Sequence, residues 1–210
     1  MKRILIVDDH EVVRDGVKRI IDKPPGAATF GEASTAQEAL ELARAQDWDI
    51  VLLDLSLGDL DGLEVLKELK RMRPHLPVLI LSMHSEALFA RRVLKAGAAG
   101  YITKNSPRAK LAEAVDKVIS GGLYISPALA EKLALDLREG DARPPHENLS
   151  DREFEVLRLL ASGKTVGEIA DQLSLSAGTI STYRARVLDK MGMKTNAELT
   201  RYAIQNRLVE

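Results

Sequence analysis

Residues 50–54 read Ile-Val-Leu-Leu-Asp, four aliphatic residues that end in a carboxylate. Two similar runs lie elsewhere in the chain: Ile4–Val7 precedes a pair of aspartates, and Val78–Leu81 precedes a serine. Strands that are apolar at nearly every position are buried on both faces, which is typical of a parallel sheet covered by helices. The three runs therefore predict the centre of an α/β domain.

Weaker strand patterns lie at Thr29–Ala33 and Ala98–Thr103. Apolar residues recur at helical spacing in four stretches between and after these strands: 12–21, 35–43, 62–69 and 106–119. Alternating units of this size predict a doubly wound, parallel, five-stranded sheet.

The chain changes character after this α/β part. A glycine pair at 121–122 ends the last helix, and a further helix is predicted from Ser126 through leucines 129, 133 and 137 to Gly140. Residues 140–145 then have the composition of a linker. The predicted division is 1–120 for the α/β domain, 121–147 for a linker that contains a helix, and 148–210 for a second domain.

Residues 148–210 show only helical patterns, four in all. Two begin with the capping-box sequences Ser-x-x-Glu at 150–153 and Thr-x-x-Glu at 165–168. A tight turn at 174–176 separates the second helix from a longer third one, which continues to Gly192. Two helices joined in this way predict a helix-turn-helix, whose second helix enters the major groove of DNA.

The composition excludes several kinds of protein. The chain has no cysteine, so disulfides, thiolate zinc sites and cysteine nucleophiles are ruled out. The apolar run after Met1-Lys2-Arg3 is too short for the core of a signal peptide, and no stretch has the ~18 apolar residues of a membrane span. We therefore expect a cytoplasmic protein with no membrane partner.

Polar side chains follow four of the predicted strands. These are Asp8 and Asp9, Asp54, Ser82 and Lys104, and the carboxyl ends of parallel strands meet at one edge of a sheet. Three carboxylates brought together repel one another unless a cation neutralises them, and all-oxygen ligation suits Mg²⁺. A carboxylate in such a site can attack phosphorus, while a lysine and a hydroxyl hold the phosphoryl oxygens.

Other functions of such a pocket fit less well. A nucleotide site needs a glycine-rich loop after the first strand, whereas residues 8–11 read Asp-Asp-His-Glu. A metal-dependent phosphohydrolase that uses Asp54 covalently usually has an acid two residues later, where this chain has Ser56. A third alternative is a regulator that works without phosphorylation.

The order of these residues resembles the receiver domain of two-component response regulators over about the first 120 residues. The resemblance implies a flavodoxin-like strand order of 2-1-3-4-5, with Asp54 as the phosphoacceptor and Lys104 as the phosphate-binding lysine. It implies that Ser82 and Tyr101 are the switch pair. It also implies a Mg²⁺ site formed by Asp8, Asp9 (the direct ligand), Asp54 and the backbone carbonyl of Ser56.

The third helix of the second domain carries a local excess of positive charge. Residues 177–194 contain four basic residues, Arg184, Arg186, Lys190 and Lys194, against one aspartate, although the whole chain has a net charge of −1. These long side chains can reach phosphates, and Ser181 and Thr182 can contact base edges.

The segment from Leu149 to the chain end is similar to the LuxR-type helix-turn-helix, and its pairing with a receiver resembles the NarL/FixJ class. The resemblance implies that three residues face the bases: Ser181, Thr182 and Ala185. It implies that five lie near the DNA backbone: Lys164, Thr179, Tyr183, Arg184 and Arg186.

The class implies a mechanism and partners. A sensor histidine kinase transfers a phosphoryl group to Asp54, and the phosphorylated protein forms a homodimer that binds specific double-stranded DNA and regulates transcription. Contact with RNA polymerase is compatible with this function. We expect no enzymatic activity beyond self-phosphorylation and self-dephosphorylation of Asp54.

Overall fold

The structure is a computed structural model that describes residues 1–57, 62–83, 86–131, 134, 144–206 and 208–209. The chain divides into two compact units, Met1–Arg138 and Glu139–Glu210.

The first unit alternates strands and helices. In chain order these are β1 (Lys2–Val7), α1 (Glu11–Ile21), β2 (Ala28–Ala33), α2 (Ala36–Ala45), β3 (Ile50–Leu53), α3 (Gly62–Met72), β4 (Val78–Ser82), α4 (Glu86–Lys95), β5 (Gly100–Thr103) and α5 (Arg108–Ile119).

The five strands form one parallel sheet in the order β2-β1-β3-β4-β5, which confirms the expected fold and strand order. β1 and β3 lie side by side in the middle, with Ile4 opposite Ile50 and Val7 opposite Leu53. The residues that follow these two strands, Asp8 and Asp54, therefore leave the sheet next to each other.

Alternate residues of each strand enter two separate cores. Leu5, Val51 and Leu53 pack with α2, α3 and α4 on one face, while Ile4 and Leu52 pack with α1 and α5 on the other. All five side chains are 1% exposed or less. Burial on both faces explains why these strands are aliphatic at every position.

The first unit also includes residues beyond α5. The Tyr101 amide donates to the Tyr124 carbonyl at 3.0 Å, so residue 124 bridges to the edge strand β5. The Ser126 amide donates to Glu86 Oε1 at 3.0 Å, and Leu129 is buried against the core. Residues 127–131 and 134 are helical, whereas Leu133, Leu137 and Gly140 of the predicted helix lie outside the described residues.

The second unit consists of helices within its described part. A 3₁₀ turn (Pro145–Asn148) precedes α6 (Asp151–Ala161), α7 (Val166–Gln172), α8 (Ala177–Met191) and α9 (Asn196–Gln205). Both predicted capping boxes are present, because the side chains of Ser150 and Thr165 accept from the backbone three residues on and the glutamates there reciprocate. Across the described ranges of both units, no helix has the length and apolar character needed to span a membrane.

Candidate functional site

The carboxyl edge of the sheet brings distant residues together. Asp8 and Asp54 are 1% and 3% exposed, and Ser82 is fully buried at the end of β4. The strand pairing continues one residue beyond β3 and β5, since the Asp54 amide donates to the Val7 carbonyl and the Lys104 amide to the Ser82 carbonyl. The backbone thus fixes where these side chains begin.

Lys104 lies between two buried carboxylates. Its Nζ is 2.6 Å from Asp54 Oδ2 and 2.7 Å from Asp8 Oδ2, and its own side chain is 10% exposed. Burial alone lowers the pKa of Lys104, but the hydrogen bond to Asp54 and the contact with Asp8 outweigh it and raise the pKa above its ordinary value. Lys104 therefore carries a positive charge that offsets part of the negative charge of this pocket.

The Lys104 ammonium does not hydrogen-bond to every carboxylate oxygen of Asp8 and Asp54. Among donors of the described residues, none hydrogen-bonds to Asp54 Oδ1 or to Asp8 Oδ2, although both atoms are buried. Asp8 Oδ2 is close to the Lys104 ammonium, but its orientation is not that of a hydrogen bond. Buried polar atoms without partners are rare in folded proteins. The pocket thus holds more carboxylate oxygens than one ammonium pairs with, and such oxygens are the ligands that Mg²⁺ prefers, so the pocket fits such an ion.

Asp9 and His10 lie at the mouth of the pocket. The Asp9 side chain is 33% exposed, and its Oδ1 is 2.6 Å from His10 Nδ1. Ligand atoms of Asp8, Asp9 and His10 all lie within 4.8 Å of one another. His10 was not among the residues predicted for this site, although it directly follows the two acids in the sequence.

The other predicted pocket residues occupy distinct environments. Ser56 is exposed two residues after Asp54. Tyr101 is 1% exposed and lies within the core on the α2–α4 face of the sheet, paired with Ile80 across the strands. Tyr101 is thus a buried packing residue in this structure.

The second unit contains a helix pair joined by a short turn. α7 ends at Gln172, and Ser174 adopts a positive φ of 52° that reverses the chain. The Leu175 amide donates to the Ala170 carbonyl at 2.9 Å, and the Ser176 side chain caps α8 by accepting from the Thr179 amide. This is the geometry predicted for a helix-turn-helix.

The two faces of α8 differ. Ile180, Val187 and Met191 are buried, and they face the rest of the unit. The opposite face is exposed, and it presents the side chains of Ser181, Thr182, Ala185 and Arg186, whereas Thr179 is half-buried. The hydroxyls of Ser181 and Thr182 donate to the carbonyls of Ala177 and Gly178.

Several cations of the predicted DNA-binding set already have partners within the unit. Arg184, half-buried like Tyr183, donates to Asn196 Oδ1 at 2.7 Å. Lys190 Nζ is 2.7 Å from Glu153 Oε2, a carboxylate that is 4% exposed. Lys164 donates to Gln172 Oε1. No pattern in the sequence predicted these partners.

Each of the two units matches a known protein family. Residues 4–116 match the response regulator receiver domain, and residues 147–203 match the bacterial regulatory proteins of the luxR family. The chain belongs to the response regulators of two-component systems. Its receiver and LuxR-type helix-turn-helix confirm the expected NarL/FixJ class and a role in transcription regulation, and this family is not a typical enzyme family.

Relatives of this response regulator match along almost the whole chain. The response regulator UvrY of Escherichia coli K12 is 35% identical over 209 residues, which are 99% of this chain and 96% of UvrY. The response regulator GacA of Pseudomonas aeruginosa is 34% identical and covers 100% and 99% of the two chains. The structure of RcsB from Salmonella enterica serovar Typhimurium, bound to promoter rprA with the phosphomimetic BeF₃⁻, has a TM-score of 0.64, 27% identity, and coverage of 96% and 98%.

Glu153 provides a test of the ion pair with Lys190. Burial raises the pKa of Glu153, but hydrogen bonds from Lys190 and Ser150 outweigh it and lower the pKa below its ordinary value. A lowered pKa means that the charged carboxylate stabilises the folded unit above about pH 4.5, and that this stabilisation is lost as the pH falls through the folded-state pKa.

We expect Glu153→Gln to lower the free energy of opening of α6 by about 1–2 kcal/mol at pH 7. The difference from the wild type should shrink below about pH 4.5. Hydrogen–deuterium exchange in peptides from α6 and α8 measures the free energy of opening at pH 7 and its change at lower pH. The control is Glu155→Gln, which loses a more exposed pair with Arg152 and should change stability by less than about 0.5 kcal/mol. Equal effects of the two variants would contradict the structural role of Glu153.

Proposed function

We propose that a sensor histidine kinase phosphorylates this response regulator on Asp54, and that phosphorylation controls its dimerisation and its binding to specific DNA. The observation that carries the proposal is that the two oxygens of the Asp54 carboxylate have different surroundings. Asp54 Oδ2 is held by the Lys104 ammonium at 2.6 Å, whereas Oδ1 accepts no hydrogen bond from the described residues. One oxygen is thus fixed and the other is available as a nucleophile.

In the proposed reaction, Asp54 Oδ1 forms a bond to phosphorus as the bond between phosphorus and the histidine nitrogen of the kinase breaks. The departing ring nitrogen takes up a proton from solvent, which leaves the histidine of the kinase as a neutral imidazole. Lys104 is placed to contact the incoming phosphoryl oxygens, since its ammonium already lies against the acceptor carboxylate. We assign Ser82 and Tyr101 to the switch that responds to the new group.

Asp8, Asp9, Asp54 and the backbone carbonyl of Ser56 would hold Mg²⁺. When bound, this ion neutralises part of the negative charge that the carboxylates and the phosphoryl group bring together. Asp9 is the partly exposed acid, and Asp8 and Asp54 are the buried ones. The division into a receiver at 1–120, a linker at 121–147 and a DNA-binding domain at 148–210 forms part of the same proposal.

For DNA, we propose that the exposed face of α8 enters the major groove. Ser181, Thr182 and Ala185 lie on this face, and the exposed side chain of Arg186 is long enough to reach a phosphate from it. Lys164, Thr179, Tyr183, Arg184 and Lys190 complete the proposed contact set. RcsB offers a precedent, since its structure contains a promoter together with a phosphomimetic.

A homodimer would place two such helices about one DNA turn apart. Because chromosomal DNA is the proposed target, we place the protein in the cytoplasm, where it can also contact RNA polymerase.

Asp54→Asn should abolish labelling by radioactive acetyl phosphate in the presence of Mg²⁺, because an amide oxygen does not form a stable acyl phosphate. The matched control is Asp47→Asn, which removes a surface carboxylate paired with Arg73 and should leave labelling unchanged. Persistent labelling of the Asp54 variant would show that another residue is the acceptor. DNA binding that does not change on labelling of the wild type would favour the phosphorylation-independent alternative.

Arg186→Ala should weaken binding to a DNA duplex selected from a random library. If Arg186 contacts one phosphate, the slope of log affinity against log salt concentration should fall in magnitude by about one. Fluorescence anisotropy at several salt concentrations measures this slope. Arg201→Ala, which removes an exposed arginine of α9 outside the proposed set, is the control and should preserve it. An unchanged slope for Arg186→Ala would remove that residue from the interface.

A further inference from the structure

Arg14 connects α1 to the loop that carries the acidic pair. Its side chain is 14% exposed and makes two bonds in different directions. Nη1 donates to the backbone carbonyl of Asp8 at 2.7 Å, and Nε donates to Glu32 Oε2 at 3.0 Å. The arginine thus joins the end of β1 to the neighbouring strand β2.

The Asp8 carbonyl is a critical atom in this loop. β1 ends at Val7, and the Asp8 amide makes one further sheet bond to the Ala33 carbonyl at 3.1 Å. The Asp8 carbonyl belongs to the planar peptide that leads to Asp9. A hydrogen bond that fixes this carbonyl therefore fixes the orientation of the whole peptide, and with it the direction in which Asp9 leaves the sheet.

Glu32 holds Arg14 in place. It lies on β2 opposite Ile6, and its second oxygen accepts from Lys18 Nζ at 2.6 Å. The hydrogen bond from Lys18 and the weaker one from Arg14 lower the pKa of Glu32 despite its partial burial, so the carboxylate stays charged at neutral pH. Lys18 touches Glu32 and Asp15 but has no bond to Asp8, which separates its role from that of Arg14.

The guanidinium group suits this position for two reasons. Its donors point in fixed, different directions, so one side chain can bond to a carbonyl and a carboxylate at once, whereas a lysine ammonium is a point charge on a flexible chain. It also brings a positive charge to a loop with two adjacent acids, which lowers the repulsion between them before any metal ion binds.

We propose that Arg14 is a positioning residue for the divalent cation: by holding the Asp8 carbonyl, it orients Asp9 as a ligand. The inference rests on the proposed Mg²⁺ site. Arg14 itself has no contact with the acceptor carboxylate in the described structure, so its loss should change metal affinity more than the rate of phosphorylation once metal is saturating.

The experiment measures the affinity for Mn²⁺, a paramagnetic substitute for Mg²⁺, from the electron paramagnetic resonance signal of the free ion. Displacement by Mg²⁺ establishes that both ions share the site. Arg14→Met should weaken Mn²⁺ binding by about tenfold, as expected for a residue that orients a metal ligand. Arg14→Lys should give an intermediate affinity, and Lys18→Met, the control, should stay within about twofold of the wild type.

A second readout separates positioning from general damage. With acetyl phosphate as donor, the Mg²⁺ concentration for half-maximal labelling should rise by about tenfold in Arg14→Met, while the rate at saturating Mg²⁺ stays within about twofold of the wild type. Arg14→Gln carries the same expectations and replaces the methionine variant if circular dichroism shows that the latter does not fold.

Wild-type affinity in Arg14→Met, or an equal loss in Lys18→Met, would overturn the role of Arg14. Asp9→Asn distinguishes that failure from a failure of the metal site itself. If Asp9→Asn loses Mn²⁺ binding while Arg14→Met retains it, the metal site stands and the positioning role is wrong. If the wild type binds no Mn²⁺ that Mg²⁺ displaces, both are wrong.

Discussion

The ion pairs of the partly buried Lys104 ammonium with the carboxylates of Asp54 and Asp8 are the interaction on which the first unit depends. Burial of a carboxylate is costly unless a charge or a hydrogen bond compensates it, and here two carboxylates share one cation. Lys104 therefore stabilises both buried carboxylates but does not hydrogen-bond to all of their oxygens. Two buried carboxylates around one cation, with Asp54 Oδ1 accepting no hydrogen bond from the described residues, suit the pocket to bind a metal ion and to accept a phosphoryl group.

The sheet makes this arrangement possible because β1 and β3 are adjacent and parallel. Their first residues beyond the last aliphatic position, Asp8 and Asp54, leave the same edge, and Lys104 reaches them from the end of β5. The aliphatic cores on both faces supply the stability that permits charged residues at this edge. In the second unit, the buried residues of α8 lie on one face of the helix, and polar side chains lie on the opposite, exposed face.

The sequence predicted the fold well where local pattern determines it. Strands that are aliphatic throughout, such as Ile50–Leu53, indicate burial on both faces, and the capping boxes at Ser150 and Thr165 mark the starts of helices. The strand order came from the family resemblance, since periodicity does not specify which strands pair. The weak strand predicted at 98–103 begins instead at Gly100, because the Ala98 amide bonds to the Val93 carbonyl and closes α4.

Apart from those at the sheet edge, contacts between residues far apart in sequence were beyond prediction. Lys190 and Glu153 are 37 positions apart and Arg14 and Glu32 are 18 apart, and no spacing rule connects such pairs. The sequence pattern around a basic residue on a helix surface is the same whether that residue contacts DNA or a carboxylate of its own domain. The residues of the acidic pocket could be named in advance because three strands end in carboxylates or a hydroxyl and the parallel sheet brings those ends together.

A crystal structure of the full chain with Mg²⁺ and beryllofluoride tests whether the pocket of Asp54 and Lys104 accepts a phosphoryl group. We expect a beryllofluoride group on Asp54 Oδ1, with the Lys104 ammonium inside the pocket and in contact with that group. An adduct on a different carboxylate, or a Lys104 side chain turned outward to solvent with the pocket occupied, would contradict this expectation.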